Sequence, residues 1–281
     1  MKKIHLVINE EKDRERRLVT QIRDYLLARG VSCTEESINR DDTACGLSED
    51  LHDTDCVLTL GGDGTFIQVA SKTAGSNIPM LGVNLGKTGY LTEVEQENVL
   101  PALERILTGQ YLIENRMMLT GTYTDETGVA KERFALNDIV ISRYGSFRAV
   151  RYELYVNNCL LNSYDADGMI ISTPTGSTGY NLSAGGPIVK PTARLILVNP
   201  VCPHTLNTRA IVLSSEDVIR VRVIGGRFGQ EFEAGVSCDG GRTDRLRAAQ
   251  EVTVCRAEVE TRLIRLKEES FLDTLSRKMK G

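Results

Sequence analysis

The chain has 281 residues, 41% of them hydrophobic and 26% charged, an ordinary globular composition with room for one large domain or two modest ones. Its 38 acidic residues outnumber 34 basic ones, for a net charge of −4, which argues against a general binder of nucleic acid or of an anionic membrane surface. The longest apolar runs, such as 56–60 and 195–198, fall well short of the roughly 18–20 residues that span a bilayer.

In chain order, residues 3–9 predict an apolar strand, and 11–29 an amphipathic helix with Leu18, Ile22 and Leu26 on one stripe and Gly30 as its stop. A short strand is predicted over 31–34 and a buried one over 56–60, running directly into Gly61-Gly62-Asp63-Gly64-Thr65. A helix over 66–73, a strand over 78–84 and a helix over 101–107 follow. This alternation predicts a Rossmann-like α/β domain over residues 1–110, a parallel sheet with helices on both faces. Beyond about Tyr111 the texture changes. Alternating stretches at 119–123, 134–142, 151–156, 218–223, 231–236 and 252–256 lie between Gly, Asn and Asp turns and predict an all-β domain, a β-sandwich over 111–257. Helical spacing returns at 270–280 through Phe271, Leu275 and Met279, so 258–281 is expected to return to the first domain and complete it.

Seven cysteines without a C-x-x-C pair fit reduced thiols, and His5, His52 and His204 give no clustered zinc ligands. The first residues run into a strand without a small-residue cleavage site, so a cytoplasmic location is expected.

Chemistry concentrates in two segments. In Gly61-Gly62-Asp63-Gly64-Thr65, at a strand-to-helix turn, glycines let a phosphate approach and helix-start N–H groups favour an anion. Asp63 would repel that anion, which suggests a proton acceptor or a magnesium ligand; the alternative is a tight turn with an Asx cap. No G-x-x-x-x-G-K-[ST] occurs, nor a G-x-G-x-x-G at the first strand, so neither a P-loop nor an ordinary dinucleotide fingerprint is present. The second segment, residues 167–187, runs D-G-M-I-I-S-T-P-T-G-S-T-G-Y-N-L-S-A-G-G-P. Hydroxyls and backbone N–H groups at this density suit phosphate, ribose and amide edges, although a Ser/Thr-rich surface loop would read the same way. The two segments are expected to face one another across a cleft.

With L-G-V-N-L-G at 81–86, L-N-D-I-V at 136–140 and N-P-V-C-P-H-T-L at 199–206, the chain resembles the bacterial NAD kinases. Their superfamily also holds the diacylglycerol kinases and phosphofructokinases. The resemblance implies transfer of a phosphoryl group from ATP, or polyphosphate in some members, to the 2′-hydroxyl of the adenosine ribose of NAD. Magnesium or another divalent cation would come with the donor, and no metal site built from the protein is expected. By the same resemblance Asp63 accepts the hydroxyl proton, and Gly61, Gly62, Gly64 and Thr65 hold the donor phosphates, Gly64 touching NAD as well. Asn137 and Asp138 match an Asn-Glu pair suited to the adenine edge and the ribose diol, Asp138 being one methylene shorter. Thr175, Thr178, Gly179, Tyr180 and Ser183 match the NAD contact segment, with Gly179 replacing the usual alanine. Asp167 matches a carboxylate that receives the nicotinamide amide, often across a subunit boundary, and Arg148 matches a basic residue for the dinucleotide phosphates. Asp239-Gly240 reads as a hairpin turn, with a ligand role left open. A homodimer or homotetramer is implied. Two alternatives stand beside this: another kinase of the superfamily acting on a lipid or sugar, against which T-P-T-G-S-T argues, and a silent nucleotide-binding sensor, against which Asp63 and Asn137 argue.

Overall fold

The computed structural model describes residues 1–13, 15–38, 51–86, 89–145, 149–205, 208–225, 234–266 and 271–280. In chain order the elements are β1 (Lys3–Asn9), α1 (Arg17–Leu27), β2 (Ser32–Ile38), β3 (Cys56–Gly61), α2 (Asp63–Lys72), β4 (Met80–Asn84), β5 (Val94–Glu95), α3 (Val99–Leu107) and β6 (Leu112–Thr124). There follow β7 (Ala130–Ala135), β8 (Asp138–Arg143), β9 (Val150–Val156), β10 (Cys159–Ala166), β11 (Gly168–Ser172) and α4 (Tyr180–Ser183). The last are β12 (Leu195–Val201), β13 (Ile211–Ser214), β14 (Ile219–Gly225), β15 (Ala234–Cys238), β16 (Asp244–Leu246), β17 (Glu251–Arg265) and α5 (Phe271–Met279). The chain divides into two compact units, Met1–Asn115 with Thr261–Gly281, and Arg116–Glu260. No described helix is long and apolar enough to cross a membrane.

In the first unit β2, β1, β3 and β4 lie side by side, all parallel, with β5 and the end of β17 also parallel to β4. Parallel strands covered on both faces read as continuous apolar runs, as β1 and β3 do. Ile4, Leu6, Ile8, Leu58, Leu60, Leu81 and Val83 form one core with Leu18, Val19, Ile22 and Leu26 of α1 and Leu103 and Ile106 of α3. On the opposite face of β4, Gly82 leaves room for Phe66 of α2. The expected helix at 11–29 starts only at Arg17. The Asn9 side chain accepts the Glu11 amide (3.1 Å) and the Asn9 carbonyl accepts the amides of Lys12 and Asp13, so this turn consumes the groups a helix start would use. Strand β2 runs past 34 to Ile38, because pairing along the whole of β1 holds the polar residues Glu35 to Ser37 in place.

The second unit is a sandwich of two mostly antiparallel sheets, β10-β9-β14-β17 with β6 and β7 beyond β17, and β13-β12-β11-β8-β15-β16. Tyr152, Leu154, Val221 and Val252 of the first sheet meet Ile139, Ile141, Met169, Ile171, Val198 and Val236 of the second in one core. The expected single stretch at 134–142 is two strands, β7 and β8, broken at Leu136 and Asn137 for a reason given below. The expected 231–236 strand lies partly outside the described residues; its remainder belongs to β15. Strand β10 was not expected, because its first five residues are all exposed and show no alternation.

Candidate active site

Strand β1 is followed by β2 on one side of the sheet, whereas β3 lies on its other side. The chain ends of β1 and β3 therefore diverge, and in open α/β sheets ligands bind in the crevice this reversal creates. Two turns of this chain flank that point, Asn9–Asp13 after β1 and Gly61–Thr65 after β3. They are tied together by Asn9, whose amide donates to the Thr65 hydroxyl at 3.2 Å. A side chain at Gly61 would collide with Thr65, so glycine is needed for that hydroxyl to fold back over the strand end. Lys12 is exposed, and its Nζ stands 2.8 Å from where a Cβ of Gly62 would lie and 3.3 Å from that of Gly86. An ammonium thus sits over Gly62 at the start of α2 and Gly86 after β4, and phosphate charge is favoured at such a helix start.

Asp63 is the first residue of α2. One carboxylate oxygen accepts the Tyr90 amide at 2.7 Å; the other accepts the amides of Leu91 (3.1 Å) and Thr92 (3.2 Å) and the Thr92 hydroxyl (3.3 Å). Gly89 has no side chain to obstruct this, and a Cβ there would collide with the carboxylate. Four donors take up most of the lone pairs that a carboxylate offers, so an incoming hydroxyl must share or displace one of them. Tyr90 is held in turn by α5: its ring lies 6.2 Å from that of Phe271, and Lys278 Nζ stands 4.0 Å over it.

In the second unit the turn before β8 is bonded to the segment after β11. The Asn137 carbonyl accepts the Thr173 amide (2.8 Å) and the Ser172 hydroxyl (3.2 Å), and the Leu136 carbonyl accepts the Thr173 hydroxyl (2.6 Å). Any side chain at Gly176 would strike the Asn137 carbonyl. Thr175 accepts from Arg116, a buried arginine, at 3.2 Å. A methyl at position 179 would lie 3.4 Å from Asn137 Nδ2 and 3.9 Å from an Asp138 carboxylate oxygen, which places Gly179 against both. Asn137, Asp138, Thr175, Thr178 and Gly179 therefore share one patch, and Tyr180 and Ser183 are exposed on the short helix that follows. Asn137 Oδ1 is buried without a hydrogen-bond partner. Burial, with the Asp239 charge beside it, pushes the Asp138 carboxyl up to about 7.

Asp167 is not brought to this patch. Gly168 pairs with Ser142, whereas Ser172 pairs with Asp138, so Asp167 lies at the far end of β11, roughly 13 Å or more along the strand. Its carboxylate pairs there with Arg143 at 3.1 Å. Arg148 falls outside the described residues. Sequence reasoning did not single out Lys12, Thr92 or Arg116, and it left Asp239 open. These residues carry no local signal, because each acts on a segment distant in sequence. Among the described residues no three His, Cys, Asp or Glu side chains gather where they would hold a metal ion.

Two family models match the chain: the ATP-NAD kinase N-terminal domain over residues 4–111 and the ATP-NAD kinase C-terminal domain over 136–266. The NAD kinase of Agathobacter rectalis is 40% identical over 284 residues, which span 99% of both chains. That of Moorella thermoacetica is 39% identical, across all of this chain and 90% of its own. Among solved structures, yeast NADH kinase complexed with NADH aligns with a TM-score of 0.84 at 22% identity, over 98% of this chain and 86% of its own. An NAD kinase from Archaeoglobus fulgidus in complex with ATP aligns at 0.76 and 24% identity, over 99% and 98%. At such identities these two structures bear on the fold alone. Because both halves of one family match in order and the relatives are similar over nearly the full length, the chain belongs to the ATP-NAD kinase family.

Proposed function

We propose that this chain is an NAD kinase that transfers a phosphoryl group from ATP to the 2′-hydroxyl of the adenosine ribose of NAD, giving NADP and ADP. The observation that carries this is the match of both family domains along the chain. The patch in which Asn137, Asp138, Thr175 and Gly179 meet supports it. Neither the lipid- or sugar-kinase reading nor the silent sensor is favoured by any of these features.

In this reading the unpaired amide of Asn137 takes the adenine edge, and Asp138, as carboxylate, accepts from the ribose hydroxyls. Thr175, Thr178, Gly179, Tyr180 and Ser183 complete the contacts to NAD, Gly64 touches it as well, Arg148 serves its phosphates, and Asp167, at the far end of β11, receives the nicotinamide amide of a coenzyme bound across a subunit boundary. Residues 111–257 form the coenzyme-binding and oligomerisation domain; 1–110, completed by 258–281, carry the donor phosphates on Gly61, Gly62, Gly64 and Thr65, with Lys12 as the neutralising cation. Asp63 receives the proton of the 2′-hydroxyl as the bond to phosphorus forms. A carboxylate is far too weak a base to ionise a sugar alcohol beforehand, so the proton moves together with phosphoryl transfer. A divalent cation bound with the donor would be held chiefly by the donor's phosphates, as magnesium commonly is. It would supply neutralisation of phosphate charge, while the chain supplies position. The protein is a cytoplasmic homodimer or homotetramer, with no nucleic-acid or membrane partner.

The test is direct. The pure chain with NAD, ATP and magnesium yields NADP, and parallel reactions with polyphosphate and with NADH rank donors and acceptors. Failure to form NADP with any donor would overturn the reading.

A further inference from the structure

Two carboxyl groups, Asp138 and Asp239, stand beside one another in the second unit, and the backbone compensates only one of them in full view. Asp239 lies just after β15 in the left-handed region, with φ of 52°. Its carboxylate accepts three consecutive amides, from Leu136 at 2.7 Å, Asn137 at 2.7 Å and Asp138 at 3.0 Å. Its own amide donates to the Asp138 carbonyl at 2.9 Å. Three N–H dipoles converging on one carboxylate hold a fixed negative charge. They also break the run of residues 134–142 into β7 and β8, so that Asn137 lies in a bend and Asp138 opens the strand that follows it.

Asp138 is 6% exposed and faces that fixed charge. From β11 and the segment after it come only Ser172, Thr173, Thr175 and Gly179, which bring hydroxyls and backbone. From β15 comes Cys238, whose thiol burial pushes far above its usual range, so it stays uncharged. The other charged groups in this region are Arg133 of β7 and Asp244 of β16, which act on Cys238, and the buried Arg116 of β6, which donates to Thr175. Burial disfavours the charged form of Asp138 most, and the Asp239 charge adds to it.

Building on the NAD kinase reading, we propose that Asp239 is a positioning residue for the coenzyme: it shapes the bend that leads into Asp138 and, as a fixed charge added to burial, helps hold on Asp138 a proton that coenzyme capture must release. The step is a plain dissociation. The O–H bond of the neutral carboxyl breaks, the proton goes to the buffer, and the resulting carboxylate accepts the ribose O–H donors. The coenzyme site therefore strengthens as pH rises through neutrality. With midpoint near 7, only the ionised fraction binds, and affinity for NAD is expected to be about 25-fold tighter at pH 7.5 than at pH 5.5.

The experiment is calorimetric titration of the full chain with NAD, without donor, from pH 5.5 to 8 in buffers of different ionisation heat. Wild type is expected to release about half a proton per NAD at pH 7. Asp239→Asn removes the fixed charge, so the release at pH 7 falls and the bend in the affinity curve moves to lower pH. Asp138→Asn keeps the Asp239 clamp and abolishes the release. Weaker binding by Asp239→Asn at every pH with unchanged proton release would mean a structural role only and would overturn the proposal. Release that persists in Asp138→Asn would do the same, and decides the matter should Asp239→Asn not fold. NAD binding without any proton release sinks this proposal and leaves the kinase reading standing; no NAD binding at any pH sinks both.

Discussion

Asp63 accepts donors from three consecutive residues, Tyr90, Leu91 and Thr92, and its orientation depends on Gly89 having no side chain. Gly89→Ala should therefore leave NAD affinity nearly unchanged and lower turnover by about 10²-fold, measured by steady-state kinetics with separate titrations of NAD and ATP. Asp63→Asn is expected to bind NAD while losing about 10²–10⁴-fold in turnover; near-normal turnover would remove Asp63 from the chemistry. Asp138 makes a different kind of claim, about stability. Its carboxyl stays protonated in the folded chain up to about pH 7, whereas the unfolded chain gives that proton up near pH 4. The folded form binds the extra proton between those values, so its stability falls as pH rises from about 4 to about 7. Asp138→Asn, which never charges, should raise Tm by several degrees at pH 8 and change it little at pH 4, as followed by circular dichroism.

Among the elements, α5 matters through one contact: Phe271 packs on Tyr90, whose backbone amide bonds to Asp63. An aromatic pair of this sort contributes about 0.5–1.5 kcal/mol. Phe271→Ala is expected to reduce turnover by about two- to tenfold with a Tm loss of only a few degrees, the two read on the same preparation. At this scale the sequence was legible where a side-chain pattern repeats. The apolar runs of β1 and β3 and the stripe on α1 could be read directly, and so could the helix at 271–279. Boundaries failed where a distant or local side chain took backbone groups, as Asn9 does before α1 and Asp239 does between β7 and β8. Of the candidate site, Asp63 and the hydroxyl segment could be proposed from sequence because residue types at fixed spacing announce them. Asp239 reaches residues 101 to 103 positions away, and Arg116 reaches Thr175 across 59, and no spacing rule records such contacts.

At the scale of the molecule, each unit has its own core, and size-exclusion chromatography with light scattering should give twice or four times the 31.0 kDa of one chain if the proposed assembly forms. The first unit is not contiguous. Ile264 and Leu266 are buried in its core, Leu263 pairs with Met80, and Glu93 binds both the Leu266 amide (2.9 Å) and Arg265 (3.3 Å). A ribosome making this chain from its amino end delivers those residues only after the entire sandwich has emerged. The Gly61–Thr65 turn thus stays on an unfinished scaffold through most of synthesis, and a nascent chain stalled before residue 260 should remain open to protease across 1–115 even where the sandwich already resists digestion.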